Sequence, residues 1–192
     1  MTFDHNDHYH GKLLRLVPDG ARTALDVGCG TGRFARRLAG RGLLVDAVDP
    51  AAEVIESAPP ALGVRYHHAD ITEMELPAGR YDYISCLASI HHVPFGTVAR
   101  LRDALAPGGV LAILGCYAEA GRADLAWSLA AVPVNAAARL AMAGRGGPPS
   151  PAPVRRPEMS LAQIRREAAV LLPGATIRRL LFWRYLLAYR QG

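Results

Sequence analysis

Asp26-Val27-Gly28-Cys29-Gly30-Thr31-Gly32 places an acid two residues ahead of three glycines at alternate positions. Glycine is required where the backbone takes positive φ or lies against a ligand with no Cβ between them. A loop of this kind opening a helix turns backbone N–H groups toward a bound group. Two further acids, Asp49 and Asp70, each follow a short apolar run, and Asp49 lies 23 residues beyond Asp26. His91-His92 follows a longer apolar run. An imidazole titrating near ~6.5 can take a proton from a phenol or an enol at neutral pH, so either histidine is a candidate base, His91 first. The alternative for one of them is structural packing.

Positioning these groups calls for alternating strands and helices. The apolar residues 24–27 read as a strand and 33–39 as a helix, stopped at Gly40-Arg41-Gly42. Residues 43–48 make a second strand ending at Asp49-Pro50, and 51–58 a helix. Residues 64–69 make a third strand closing on Asp70-Ile71, and 80–93 a fourth with its exit. Residues 97–105 are helical, 106–109 turn, and the unbroken apolar run 110–116 is a buried parallel strand. In a doubly wound sheet, ligands bind at the carboxyl ends of the strands, and an acid there can accept two hydrogen bonds from a ribose diol, which suits Asp49. Its alternative is a cap for the helix that follows. The alternative for Asp70 is a plain turn residue. His67 and His68 are adjacent in a strand and face opposite ways, so no joint function is assigned to them.

The glycine spacing differs from the dinucleotide fingerprint G-x-G-x-x-G, because the last glycine comes one residue sooner. Asp26-x-Gly28-x-Gly30-x-Gly32 resembles motif I of the class I S-adenosylmethionine-dependent methyltransferases. Leu105-Ala106-Pro107-Gly108-Gly109-Val110-Leu111 resembles their loop into the fifth strand, and Asp82 before an apolar run resembles their motif IV. The likeness covers residues 25–116. It implies an α/β fold, a Rossmann-like doubly wound seven-stranded sheet, mostly parallel with the last strand antiparallel. It implies S-adenosyl-L-methionine as cofactor and S-adenosyl-L-homocysteine as product. Asp26, Gly28, Cys29, Gly30 and Gly32 would surround the amino-acid end of the cofactor. Asp49 with Pro50 would take the ribose, Asp70 the exocyclic amine of adenine and Ile71 the ring. Leu87, at the end of the fourth strand, would also border the cofactor, with Tyr9 part of a lid over its mouth. The Asn/Asp-Pro-Pro-aromatic signature of amine- and amide-directed methyltransferases is absent from the sequence, and the paired acids of metal-dependent catechol methyltransferases are not evident.

With 192 residues, 51% hydrophobic and 20% charged, the chain is long and apolar enough for one globular domain. Residues 1–20 are expected to be its N-terminal helix and lid. The formal charge is +5, yet 21 of the 22 basic residues are arginines scattered along the chain, which gives nucleic-acid binding little support. Cys29, Cys86 and Cys116 are widely spaced and odd in number, as expected of a reducing compartment without a disulfide framework. The first residues lack a signal-peptide pattern, and the apolar stretch 125–143 is broken by Pro133, Asn135 and Arg139, so no stable membrane insertion is expected and the cytoplasm is the expected location. His5, His8 and His10 lack an acid or cysteine at ligand spacing, and no metal is expected.

Residues 117–158 form a variable insert, an apolar alanine-rich helix followed by a Gly/Pro-rich loop from 145 to 157, placed to cover an acceptor pocket or to serve in packing or a homodimer contact. Its character favours a small hydrophobic or aromatic substrate: a quinone, a lipid or a secondary metabolite. Ser160 caps a helix over 161–172, and residues 176–181 and 184–190 read as two final strands joined at Phe182-Trp183, or as one long strand. The functional expectation is methyl transfer to O, C or N of such a molecule. The rivals are non-methyl chemistry with the same cofactor, such as a cyclase or decarboxylase, and a catalytically silent partner subunit.

Overall fold

The computed structural model describes residues 5–118, 156–180 and 183–192. The apolar helix expected over 125–143 lies outside these residues, as do nearly all of the Gly/Pro-rich loop and Phe182. In chain order the elements are α1 (His5–Leu14), β1 (Thr23–Val27), α2 (Arg33–Ala39), β2 (Leu44–Asp49), α3 (Ala52–Glu56), β3 (Val64–His68), β4 (Tyr81–Leu87), a 3₁₀ turn (Ile90–His92), α4 (Thr97–Asp103), β5 (Leu105–Cys116), α5 (Leu161–Leu171), β6 (Thr176–Arg179) and β7 (Arg184–Arg190).

The seven strands run in the order β3-β2-β1-β4-β5-β7-β6. β1 to β5 are mutually parallel, and β7 is antiparallel to both β5 and β6. The direction of winding reverses between β1 and β4, so the loops leaving those two strands flank the switch point where such sheets bind ligands. Both faces of β1, β2, β4 and β5 are buried, and successive side chains supply opposite faces. Leu25, Val27, Ile84, Cys86, Leu111 and Ile113 face one core with Val98 and Leu101 of α4 and Ile164 and Ala168 of α5. Ala24, Val45, Tyr83, Ala112 and Leu114 face the other, with Leu13 of α1 and Phe34, Ala35 and Leu38 of α2. α1 is fastened at its last turn, where the Leu13 carbonyl accepts from Tyr83 Oη at 3.1 Å and the Leu14 carbonyl from Arg41 Nη1 at 2.7 Å.

Two elements depart from the sequence expectation, α3 and the turn at 106–109. α3 is five residues long and begins after an extended Ala51 that offers no side-chain cap; Asp49 instead accepts the Ala51 N–H in a turn ahead of the helix. The expected turn at 106–109 is a bulge inside β5, which pairs with β4 at Tyr81↔Leu105 and resumes at Tyr83↔Val110. Gln191 closes this bulge by exchanging backbone hydrogen bonds with Gly108 and Gly109 at 3.0 and 2.9 Å. The final strands are two, and Trp183 enters β7 with φ 55°, supplying the positive angle that a tight connection needs without a glycine. α5 carries a full capping box between Ser160 and Gln163.

Candidate active site

The glycine loop is built by its neighbours. The N–H groups of Gly28 and Cys29 both donate to the Val48 carbonyl, at 2.8 and 3.0 Å, tying the loop to β2. Gly28 has φ 68°, and a Cβ there would lie 2.2 Å from the Ser89 Cβ. Ser89 Oγ also donates to the Val27 carbonyl at 2.6 Å, so the exit of β4 is pressed against the end of β1. Gly32 has φ 73°, and its absent Cβ would strike the Tyr66 hydroxyl at 2.2 Å. Arg36 Nη1 donates to the Thr31 carbonyl at 2.6 Å and to Tyr66 Oη at 3.3 Å, holding the outer half of the loop. Around Gly30 the space is open, with nothing within 4 Å of where a Cβ would stand. The amides of Gly28, Cys29, Gly30 and Gly32 all have protein acceptors, so these residues shape a cradle rather than donate from it.

Three acids surround the loop. Asp49 Oδ2 accepts from Gly30 N at 2.9 Å and Oδ1 from Ala51 N at 3.0 Å, so one carboxylate fixes both the loop and the start of α3. Each of its oxygens retains a second lone pair for a diol. Asp70 Oδ1 accepts from the N–H and the hydroxyl of Thr72, at 2.8 and 2.7 Å, and these two bonds hold the carboxyl below its usual range. Asp70 is exposed, and among the described residues no donor reaches its Oδ2. Asp26 lies beneath the loop, 2% exposed, accepting from Ser85 Oγ at 2.7 Å and from the Ala35 N–H. Burial pushes it up to about 7 against the lowering pull of those two donors, with Asp49 adding to the rise.

The other expected site residues divide between rim and core. Ala88 takes φ 54°, anchored by its N–H to the Leu114 carbonyl at 2.7 Å, and turns the chain out of β4. The 3₁₀ turn then carries His91 and His92, both half-buried, their rings 4.2 Å apart and tilted by 41°. Tyr9 is buried in the same core cluster as Cys29 and Phe34, which seats α1 beside the loop, and His10 packs on Phe34 with ring centroids 4.9 Å apart. Leu87 is half-buried against that cluster, Ile71 is buried in the opposite one, and Pro50 is exposed. The thiols of Cys29, Cys86 and Cys116 are free, and burial pushes all three up, so none serves as a ready nucleophile. Among the described residues, no group of three or more His, Cys, Asp or Glu side chains is placed to hold a metal ion, and no helix is long and apolar enough to cross a membrane.

Ser85, Ser89 and Tyr66 are site residues that local sequence reasoning missed. Ser85 had a signal: a hydroxyl inside the apolar run of β4 must find a buried partner, and its register places it opposite Asp26. Asp82, the motif IV acid, stands at the other end of the sheet, where its Oδ2 accepts from the N–H groups of Arg22 and Thr23 and fastens β1 to β4.

A doubly wound sheet in this order, with a glycine loop on β1 and acids at the tips of β2 and β3, is the frame of a class I methyltransferase. Residues 24–109 match the family model described as a methyltransferase domain. The chain is 37% identical over 191 residues to an uncharacterized methyltransferase of Mycobacterium tuberculosis, covering 96% of this chain and 95% of that one. It is 33% identical over 134 residues to a ubiquinone biosynthesis O-methyltransferase of Xanthomonas axonopodis, covering 66% of this chain and about half (54%) of that longer protein. Among solved structures, the 1,6-didemethyltoxoflavin-N1-methyltransferase of Burkholderia thailandensis superposes with a TM-score of 0.64 at 18% identity, over 97% of this chain and 78% of that one. The chain belongs to the S-adenosylmethionine-dependent methyltransferase family. Its residues fit that cofactor: the loop is open at Gly30, and a cationic sulfonium suits three carboxyl groups that have no cationic partner among the described residues.

Proposed function

We propose that the protein transfers a methyl group to a small hydrophobic or aromatic acceptor, with a phenolic or enolic oxygen the atom its histidines suit best. One observation carries this reading: Ser89, bonded to Val27 and packed on Gly28, seats the His91-His92 turn beside the glycine loop. The likeness to a ubiquinone biosynthesis O-methyltransferase supports an oxygen acceptor.

When bound, the cofactor supplies an already activated methyl carbon for in-line displacement. The chain has two tasks, to align the acceptor and to remove its proton. Gly28, Gly30 and Gly32 admit the amino-acid end, with Cys29 between them and Tyr9 closing over it. Asp26 sets the charge beneath the loop. Asp49 and Pro50 hold the ribose, Asp70 the adenine amine with Ile71 packed in the core behind it, and Leu87 the wall toward the acceptor. His91, or His92 behind it, takes the proton from the acceptor oxygen as that oxygen becomes the ether.

The test is S-adenosylhomocysteine formation over a panel of phenols, quinols and amines, with cofactor affinity followed by calorimetry. His91→Ala is expected to lower turnover roughly 100-fold or more while leaving cofactor affinity unchanged. A loss of only a few-fold in both His91→Ala and His92→Ala would leave alignment alone as the source of rate.

A further inference from the structure

The segment after β3 is a single helical turn with its donors turned inward and its carbonyls turned out. The Asp70 carbonyl accepts from Glu73 N at 3.1 Å and Met74 N at 2.8 Å. The Asp70 carboxylate takes the N–H and hydroxyl of Thr72. A lone turn of this length cannot satisfy its own outgoing carbonyls and is unstable unless something else does. Arg100 on α4 does so: Nη1 donates to the carbonyls of Ile71 and Thr72, at 2.8 and 2.5 Å, and Nη2 to that of Met74 at 2.6 Å. One guanidinium thus gathers three carbonyls of a turn that lies 26 to 29 residues earlier in the chain. α4 begins five residues after His92, so the same helix follows the candidate base and grips the turn that carries Asp70.

We propose that Arg100 is a positioning residue for the nucleobase end of the cofactor: by clamping the 70–74 turn it fixes where Asp70 Oδ2 points, and through that the preference for an amino-substituted purine. The proposal rests on the assignment of Asp70 to adenine. A planar fork with five donors can serve three carbonyls at once, whereas a lysine ammonium offers a single charged point. The side chain of Ile71, buried in the core with Val98 and Leu101, holds the turn from its inner side, so removing Arg100 frees the carbonyl side and lets Asp70 swing.

The experiment compares calorimetric affinities for S-adenosylhomocysteine and S-inosylhomocysteine, in which an oxo group replaces the 6-amine, at a temperature well below unfolding. The chains are wild type, Asp70→Asn, Arg100→Gln and Arg100→Lys. Wild type is expected to prefer the adenosyl compound; Arg100→Gln should shrink that preference roughly ten-fold, and Arg100→Lys by less. A clip that is only structural would lower the melting temperature and leave the preference unmoved. Loss of preference in both Asp70→Asn and Arg100→Gln supports the clamp. Loss in Asp70→Asn alone overturns the clamp and leaves the adenine assignment standing. An unchanged preference in Asp70→Asn overturns the assignment, and the proposal with it. Should Arg100→Gln fail to fold, Arg100→Lys is read in its place.

Discussion

The tips of the strands and the body of the sheet use the same residue type in opposite ways. At the tips, Asp26, Asp49 and Asp70 are held by backbone N–H groups and hydroxyls, with no cationic partner among the described residues. In the body of β2, Asp46 is gripped by Arg65 at 2.9 Å, His67 at 3.0 Å, Arg80 at 3.4 Å and Tyr81 Oη at 3.0 Å. The two buried acids differ accordingly. Burial lifts Asp26 to about 7, whereas at Asp46 burial is outweighed by His67, Tyr81 and Arg65, which hold the carboxyl below its usual range. An acid neutralised by a neighbour is a staple; an acid left short of positive charge can still answer to a ligand.

The largest expected effect follows from the sign at Asp26. An unfolded chain releases this proton from about pH 3.8 while the folded one holds it until about 7, so the folded state loses stability as pH rises through that window. Asp26→Asn removes the loss, and its unfolding free energy relative to wild type should climb by up to about 4 kcal/mol between pH 4 and pH 8 in urea titrations. A flat difference would erase the contrast between tip and body. Asp46 has the opposite slope: its contribution is present above the ordinary carboxylate range and fades as pH falls through its lowered value. Asp46→Ala should cost about 2–3 kcal/mol at neutral pH, reduced from the buried-pair figure because Arg65 and Arg80 are 68% and 42% exposed, with the deficit narrowing below pH 4. Its affinity for S-adenosylhomocysteine should match wild type, and a loss there would mean that body and tips are not separate. Asp49→Ala sharpens the comparison from the other side, weakening the cofactor by roughly 1–3 kcal/mol in calorimetry through a lost charged hydrogen bond. Unchanged affinity would remove the ribose from its role.

What the sequence revealed follows the same division. The glycine loop, the acids closing β2 and β3 and the apolar run of β5 are local patterns, and each is where its spacing places it. Ser160 is legible for the same reason, since a capping box is complete within four residues. Partners brought together by the sheet were not legible. Ser85 meets Asp26 across 59 residues and Ser89 meets Val27 across 62; the apolar run around Ser85 calls for a buried partner without naming it, and nothing near Ser89 announces its contact. Asp82 stands at the start of β4, as its motif implies, but the fastening it makes between two strand starts could not be read from the sequence. The bulge at 106–109 escaped because Pro107-Gly108-Gly109 has the composition of a free turn, and its closing partner Gln191 lies 82 residues from Gly109.

The order β5-β7-β6 also governs how the protein is made. β7 follows β6 in the chain but stands between it and β5, so β6 has no place in the sheet until β7 arrives. During synthesis, β5 therefore waits with one row of peptide groups bare along Val110 to Cys116 while everything up to Trp183 emerges from the ribosome. An apolar strand with an open edge readily recruits a foreign one. The nascent chain is thus most exposed to aggregation just before β7 closes the gap.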